Sequence, residues 1–572
     1  MQTSPCVSPC AALLLYLTAC AAAAQNLPNA GSLQRETERS LQAPEAPVPI
    51  APAPAAPEAP SDAPRVLVQA FVIEGAQLIE VSALQAVLAP YVGQSLTMAQ
   101  LQQATAQLET YYRQQDWYAR ALLPQQDVTQ GQIRIQILES RWGQSHLMPT
   151  PSGTVLRANA PAVQRLVTTR LQPGQPLSNA DLERGLLLAN DLPGIEASGV
   201  LSAGQQIGLT DLYIRVLDVD RVTGDIGLSN YGLRYTGKAQ LSGGLALNNL
   251  HGRGDQLSLR VLGSAHLGNV QLRYSWPVGY DGMRLSGWAS YLGYRLAGSY
   301  APLQAEGSAW NYGLALSYPL LRREWRNLVL EAGLQQRRFS DDLLQTPSRR
   351  QHVNTFSLGL NGNLRDARAA GAYSWGSVQW STGQLRITDV NGAIALDAAG
   401  PRTRGSYHKL AGQVTRLQNL GGPWQAQASA AGQWSNRNLA SSERMSLGGP
   451  DQVRAYPINE AVGDHGLLLK LQLMYALAHG WQAQLFYDWG RIRQYHQPWS
   501  GWNAGSGQPN TYQLAGWGIG LAWQGQGSAS GWRMQASIAT PSGSNAGHQR
   551  QRNSDGSSLR STRGWMYVGY SF

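Results

Sequence analysis

Two charged residues in unlike surroundings stand out from this sequence as candidates for chemistry. Arg454 lies in the glycine- and proline-bounded run Ser446-Leu447-Gly448-Gly449-Pro450-Asp451-Gln452-Val453-Arg454-Ala455-Tyr456-Pro457, and Asp488 in Phe486-Tyr487-Asp488-Trp489-Gly490. A guanidinium offers a planar fork of donors that matches a carboxylate, so the two residues suit a bidentate pair rather than bond making. Inside a membrane barrel an unpaired charge is costly, and a pair there would hold a loop against a wall. A solvated surface arginine and an unrelated aspartate are the alternative on these residues alone.

Catalytic and cofactor signatures are missing from the sequence. The nine histidines are scattered. There is no His-Glu-x-x-His helix, no phosphate loop ending in Gly-Lys-Ser/Thr and no Gly-x-Ser-x-Gly elbow. Gly252-Arg253-Gly254-Asp255 has the composition of a nucleotide loop, yet it joins two alternating segments with no helix after it, so it reads as a turn. All three cysteines, Cys6, Cys10 and Cys20, fall in the first twenty residues. A chain cleaved near Ala24 would carry no disulfide framework and no thiol for a metal. The expectation is therefore no enzyme, no cofactor and no metal.

The elements that must position Arg454 and Asp488 are strands. The 572 residues are 43% hydrophobic and 14% charged, with 62 Gly, 24 Tyr and 18 Trp. Glycine and amphipathic aromatics at low charge suit many short strands with interfacial girdles; on composition alone a soluble propeller competes with a membrane barrel. From 222 onward, alternating segments separated by turn residues predict about sixteen strands, an even number as single-chain outer-membrane barrels require. Leu469, Leu471, Leu473 and Tyr475 share one face against Lys470 and Gln472; Trp481, Ala483, Leu485, Tyr487 and Trp489 alternate with Gln482, Gln484, Phe486, Asp488 and Gly490. The first set can face lipid, so Asp488 is expected to point into the lumen. Met566, Val568, Tyr570 and Phe572 fall on one face of a last strand ending on an aromatic. The net charge of +10 comes with no concentrated basic helix and no zinc spacing, which speaks against nucleic acid and for a basic lumen or loops facing lipopolysaccharide.

Ahead of the strands the composition changes three times. Residues 1–24 read as a signal peptide with an apolar stretch closing on Ala22-Ala23-Ala24, although Leu17-Thr18-Ala19-Cys20 also fits a lipoprotein cleavage box. Residues 25–42 are mostly polar, with a short helix expected from Ser32, as its cap, to Leu41. Residues 43–65 form a Pro/Ala-rich, extended linker. Two α/β units follow, at 66–143 and 144–220. The first has a strand at 66–73, helices at 82–88 and 98–115, and strands at 119–123 and 133–138; the second repeats the order more loosely.

Phe71-Val72-Ile73-Glu74-Gly75, Leu122-Leu123-Pro124-Gln125-Gln126-Asp127 and Leu182-Glu183-Arg184-Gly185 through Leu192-Pro193-Gly194 resemble the POTRA modules of two-partner secretion transporters. The likeness to this haemolysin secretion/activation family, a branch of the POTRA-barrel superfamily, covers residues 66–572. Asp116 departs from it, where the family often has glycine, and only a local turn change is expected. The resemblance implies a mainly β fold, a 16-stranded transmembrane antiparallel β-barrel (221–572) preceded by two periplasmic α/β POTRA domains. It makes Val453, Arg454, Ala455 and Tyr456 the tip of a loop, 445–464, folded into the pore, and Phe486, Asp488 and Gly490 its partner motif on the wall. Ala455 stands where the motif has glycine, so a positive φ would be uncomfortable there. Tyr570 and Phe572 resemble the C-terminal barrel signal, and 25–42 would be a plug helix. The implied function is type V export of a large partner exoprotein, haemolysin or adhesin, across a Gram-negative outer membrane. The POTRA domains would take the unfolded substrate by strand addition. Expected partners are the exoprotein, the barrel-assembly machinery and outer-membrane lipid or lipopolysaccharide. A barrel-assembly factor and, from another class, a passive porin are the alternatives.

Overall fold

The computed structural model of the chain describes residues 27–41, 65–128, 130–149, 155–206, 208–366, 371–504, 507–547 and 552–572. The expected signal peptide and most of the proline-rich linker lie outside the described residues.

Among the described residues, sixteen antiparallel strands close a barrel. They run from β9 (Val222–Ser229) to β19 (Trp424–Ser435) and from β22 (His465–Ala476) to β26 (Arg563–Ser571). A short pair, β20 (Met445–Ser446) and β21 (Val462–Gly463), lies in the loop between. Closure is made by β26 on β9, with Tyr567 opposite Ser229 and Ser571 opposite Asp225. The chain end completes the seam, since Phe572 and Gly224 exchange both backbone hydrogen bonds at 2.9 Å. A closed sheet is the form in which every strand amide can be paired inside lipid. Alternation sets the two faces as expected: Leu469, Leu471 and Leu485 are exposed on the outside, whereas Phe486 and Asp488 are buried inside. Strands β14 (Glu306–Arg322), β15 (Arg326–Leu343) and β16 (Thr346–Asp366) are longer than the apolar alternation suggests, because their outer ends are polar yet still paired.

Inside the barrel lies helix α1 (Ala30–Ser40). Its cap is Asn29, not Ser32: the Asn29 side chain accepts from the Ser32 amide at 3.1 Å, and the Ser32 hydroxyl accepts from the Asn29 amide at 3.0 Å. This reciprocal box starts the helix three residues earlier than a cap at Ser32 would. Ala30 and Leu33 pack among inward apolar residues such as Leu262, Leu292 and Tyr407. Gln34, Glu36 and Thr37 are buried too, which a helix tolerates when its surroundings are a polar lumen rather than a core.

Two α/β units precede the barrel. In the first, the single strand expected at 66–73 is split into β1 (Arg65–Leu67), paired with β3 (Ser95–Thr97), and β2 (Ala70–Glu74), parallel to β5 (Gln132–Glu139). The break falls where Val68 donates to Gln94 O and Gln69 to Gly131 O, so the chain changes partners. Helices α2 (Val81–Leu88) and α3 (Met98–Gln114) cover the sheet β2-β5-β4, with β4 at Ala119–Leu122. The second unit has β7 (Ile195–Ala203) and β8 (Leu209–Asp218), with β8 central in a three-stranded sheet between β7 and the unit's first strand, and helices α4 (Ala160–Thr168) and α5 (Asn179–Asn190). Its first strand, β6 (Arg141–Leu147), starts before the boundary drawn at 143/144, so that boundary cuts a strand. Asp116 takes the left-handed conformation, φ 69°. Its carbonyl accepts from Asn179, and Tyr118 donates to Leu177 O, joining the units through backbone.

Candidate functional site

The loop between β19 and β22 leaves the barrel wall and returns into it. Two buried charge clusters anchor its base. Glu443 receives Arg337 of β15 at 2.7 Å and Lys409 of β18 (Gly405–Gly421) at 2.6 Å; Arg444 lies 3.2 Å from Asp464. Beyond the base, Leu447, Val453, Ala455 and Tyr456 are fully buried against Leu468, Phe486, Tyr512 and Leu514 of the wall. An apolar loop tip inside a polar lumen needs such a seat, because most other inward positions are Gln, Asn, Ser or Gly.

Arg454 meets Asp488 on the inner face of β23 (Trp481–Arg493). Its Nε donates to Asp488 Oδ2 at 2.8 Å, its Nη2 to Oδ1 at 2.7 Å, and its backbone amide to Oδ2 at 3.1 Å. The remaining amino group, Nη1, donates to Gln472 Oε1 on β22 at 3.0 Å. The guanidinium carbon stands 3.3 Å from the centre of the Phe486 ring. Side chains of both charged residues are nearly closed to solvent, at 4% and 1% exposure. A fork-on-carboxylate pair with its other donor satisfied is the geometry in which a buried ion pair is least costly and its breakage most destabilising.

Each residue of the two sequence motifs has a place in this contact. Phe486 lies beneath the guanidinium, and Gly490 leaves room for Leu447, whose methyls an added Cβ would press at 2.8–2.9 Å. The expected discomfort at Ala455 does not arise. Ala455 is not among the residues of positive φ, so the conformation suits any L residue. Its methyl lies over Gly516 of β24 (Thr511–Gln524), where a Cβ would collide with it. The lumen face of β24 reads Gly516, Gly518 and Gly520, and a Cβ on Gly518 would meet the Phe486 ring at 2.6 Å. Glycine at every second position of a strand is the sequence signal of close approach that the motif reading passed over. A second missed residue is Trp565 on β26, whose indole N–H donates to the Arg454 carbonyl at 2.7 Å. Tyr570 and Phe572, by contrast, lie on the outward face of β26, away from the loop, with ring centres 6.3 Å apart.

Helix α1 is tied to the same loop. Arg35 donates to the carbonyls of Ser441 at 2.5 Å and Arg444 at 2.9 Å and to Asn459 Oδ1 at 3.0 Å. Arg39 reaches Ser446 Oγ at 3.0 Å, and Asn459 returns a bond to Glu36 at 3.2 Å. On the other side the Ala30 amide donates to Asp341 of β15 at 2.8 Å and Asn311 of β14 to Glu38 at 2.9 Å. No cluster of three or more metal-ligating side chains occurs among the described residues. What the arrangement can do is hold or release a loop and a helix inside a pore.

Comparison with known proteins places this architecture. The family model for haemolysin secretion/activation protein ShlB/FhaC/HecB matches residues 208–523, and that for the POTRA domain, ShlB-type, matches 66–140. The heme/hemopexin transporter protein HuxB of Haemophilus influenzae (strain 86-028NP) is 26% identical over 539 residues, 90% of this chain and 91% of that one. The outer membrane transporter CdiB of Escherichia coli is 25% identical over 469 residues, 78% and 74% of the two chains. The solved structure of CdiB from Escherichia coli superposes with a TM-score of 0.64 at 21% identity, covering 96% of this chain and 99% of that one. BamA from Haemophilus ducreyi lacking POTRA domains 1–3 gives a TM-score of 0.54 at 15% identity, covering 89% and 100%. These two structural likenesses show the fold.

Proposed function

The chain belongs to the haemolysin secretion/activation protein family, and from that premise we propose that it exports one large partner exoprotein, of haemolysin or adhesin type, with the Arg454 and Asp488 pair as the lock on its pore. It is an outer-membrane β-barrel protein whose POTRA modules lie in the periplasm. The observation that carries the lock is the threefold bond of Arg454 to Asp488 inside a barrel that α1 also occupies. The substrate arrives unfolded and adds as a strand to a POTRA sheet edge, where main-chain hydrogen bonds give affinity with little sequence demand. It then threads the polar lumen once α1, the plug, and the loop tip have shifted. Tyr570 and Phe572 serve insertion by the barrel-assembly machinery, and the basic outer loops meet lipopolysaccharide.

Two measurements test this. Arg454→Ala and Asp488→Ala each leave a charge buried without its partner, a cost of about 3–5 kcal/mol, and each should sharply reduce export with the barrel still in the membrane. Secretion at the wild-type level in both would sink the lock. Comparing proteins released by cells with and without the chain tests the exporter: one very large secreted protein should vanish, whereas a general loss of outer-membrane barrels would mean an assembly factor instead.

A further inference from the structure

Outside the pore, the barrel wall carries a row of charge that neither the lock nor the plug uses. Arg322 and Arg323, at the passage from β14 to β15, form ion pairs with Asp191 and Asp116 of the POTRA modules, so this end of the barrel is periplasmic. Strand β15 leads away from it, β16 returns, and β17 (Ala372–Ile387) leads away again. Near the far, extracellular ends of these strands Arg338 of β15 stands opposite His352 of β16, and His352 opposite Arg386 of β17. Alternation puts all three on the lipid side, in file with the exposed Leu334, Phe356 and Trp380, whereas Arg337 and Val353 between them are buried inward.

Basic residues set side by side across a sheet are destabilising unless something answers them. Neighbouring outward cations are answered: Arg350 holds Asp342 at 2.6 Å, and Arg295 holds Glu306 at 3.1 Å. Arg338 and Arg386 form no ion pair among the described residues. Arg338 lies 5.7 Å from the centre of the Tyr312 ring, and Arg386 donates to Gln384 Oε1 at 3.2 Å. The residue opposite Arg338 on β14 is Trp310, exposed and packed on Tyr291 with ring centres 4.8 Å apart. Outward Trp and Tyr mark the level of the lipid headgroups. One step toward the membrane centre comes a row of amides, Gln336, Asn354 and Gln384, again opposite one another. Below the amides the outward positions are apolar and exposed: Leu334, Phe356, Leu358 and Trp380.

Cation, amide and hydrocarbon thus follow one another down the wall in the order of phosphate, sugar and acyl chain. We propose that the outer face of β15, β16 and β17 binds a phosphorylated glycolipid of the outer leaflet, with Arg338 and Arg386 on its phosphates, the amide row on its sugar and linkage groups, and its acyl chains along the apolar rows. Guanidinium forks match phosphate oxygens two at a time. Two strand spacings, about 10 Å, separate the two arginine backbones, so both side chains can close on one headgroup. A phospholipid would meet the cations and the apolar rows but would leave the amides without sugar hydroxyls to bond. Resting on the lipopolysaccharide contact proposed above, the site moves that contact from the loops to a named face of the wall.

The test titrates the full chain in detergent with diphosphorylated lipid A, dephosphorylated lipid A and phosphatidylglycerol, and counts bound lipid by native mass spectrometry. Diphosphorylated lipid A should bind about tenfold more tightly than the dephosphorylated form. Arg338→Gln with Arg386→Gln should erase that preference, while Arg295→Gln, on the same face but answered by Glu306, should keep it and so exclude mere net-charge attraction. Asn354→Leu should weaken both forms of lipid A severalfold and leave phosphatidylglycerol unchanged. Folding of each variant is read from heat-modifiable migration of the barrel, and Arg386→Gln alone, expected to lower the preference by about threefold, serves where the double variant does not fold. Phosphatidylglycerol bound as tightly as lipid A, or lipid A displaced by millimolar inorganic phosphate, would overturn the glycolipid site. A preference kept in the folded double variant would defeat this face of the wall and leave the loop contact standing, whereas wild-type protein that binds no lipid A would defeat both.

Discussion

At Arg454 the backbone amide and two of the three guanidinium nitrogens end on Asp488, the third nitrogen on Gln472, and the carbonyl on Trp565. The contact is thus a docked peptide unit as well as an ion pair, and its parts can be removed one at a time. Trp565→Phe keeps the ring and deletes the indole N–H, leaving a buried carbonyl unanswered at a cost of about 1–3 kcal/mol. Amide hydrogen exchange at 453–456 should then quicken by about tenfold to a hundredfold, with the barrel still folded; unchanged exchange would deny Trp565 a part in seating the loop. Gly516→Val should push Ala455 off the wall and reduce export as strongly as loss of Arg454, and Gly516→Ala combined with Ala455→Gly should restore it. A single Gly516→Val variant that exports normally would show that the close approach has no consequence. The pair Arg454 and Asp488 was legible because two short motifs carry it. Gly516 and Trp565 were not, because their roles depend on which strand faces the loop tip, and that follows from barrel closure rather than from neighbours in sequence.

Helix α1 is held at both ends and along its length by side chains of distant strands and of the inward loop, so its departure must break contacts to both. Arg35 alone makes three such bonds, two of them to loop carbonyls at Ser441 and Arg444. Deleting residues 30–40 should raise single-channel conductance in planar bilayers. Arg35→Ala should raise the frequency of open events without changing the open level, since the helix remains but is less firmly seated. Equal conductance in the deletion and the wild type would count against a plug. The helix itself could be foreseen from a capping residue after a polar stretch, although the cap proved to be Asn29. Its place inside the pore came only with the family resemblance, because a helix carrying Gln34, Glu36 and Thr37 inward reads as solvent-exposed until a polar cavity is there to receive it. The barrel strands were more fully legible, since lipid outside and a polar lumen inside impose a period of two on the sequence. That signal ends where lipid ends, so the outer parts of β15 and β16, such as Asp341 and Arg349, paired as strand but did not read as strand.

For the molecule as a whole, the question is what keeps the POTRA modules aligned with the pore, and the answer is a set of ion pairs at one rim of the barrel. Asp116 of the first module and Glu183 of the second both reach Arg323 in the turn after β14, at 2.8 and 3.4 Å. Asp191 reaches Arg322, and Asp281 receives Arg170, Arg184 and the Tyr318 hydroxyl. Asp116 thus supplies a carboxylate to the joint as well as a turn. Burial alone would raise the Asp281 carboxyl, but hydrogen bonds from Arg170 and Tyr318 and the charge of Arg184 outweigh it and hold the group below the ordinary carboxylate range. A group whose folded pKa is depressed adds stability above its unfolded value, near 3.8, and loses it as pH falls through the folded one. The docked arrangement should therefore hold at neutral pH and loosen reversibly below about pH 4. Spin labels at Gln172 in the second module and Gly422 in a periplasmic turn can follow this by their distance distribution, expected narrow at pH 7 and broad in acid. Asp281→Asn should be broad at both, because the amide cannot answer two guanidinium groups, and its broadening should respond little to acid. A distribution that stays narrow in Asp281→Asn would mean that the Arg322 and Arg323 pairs suffice and that alignment does not depend on Asp281.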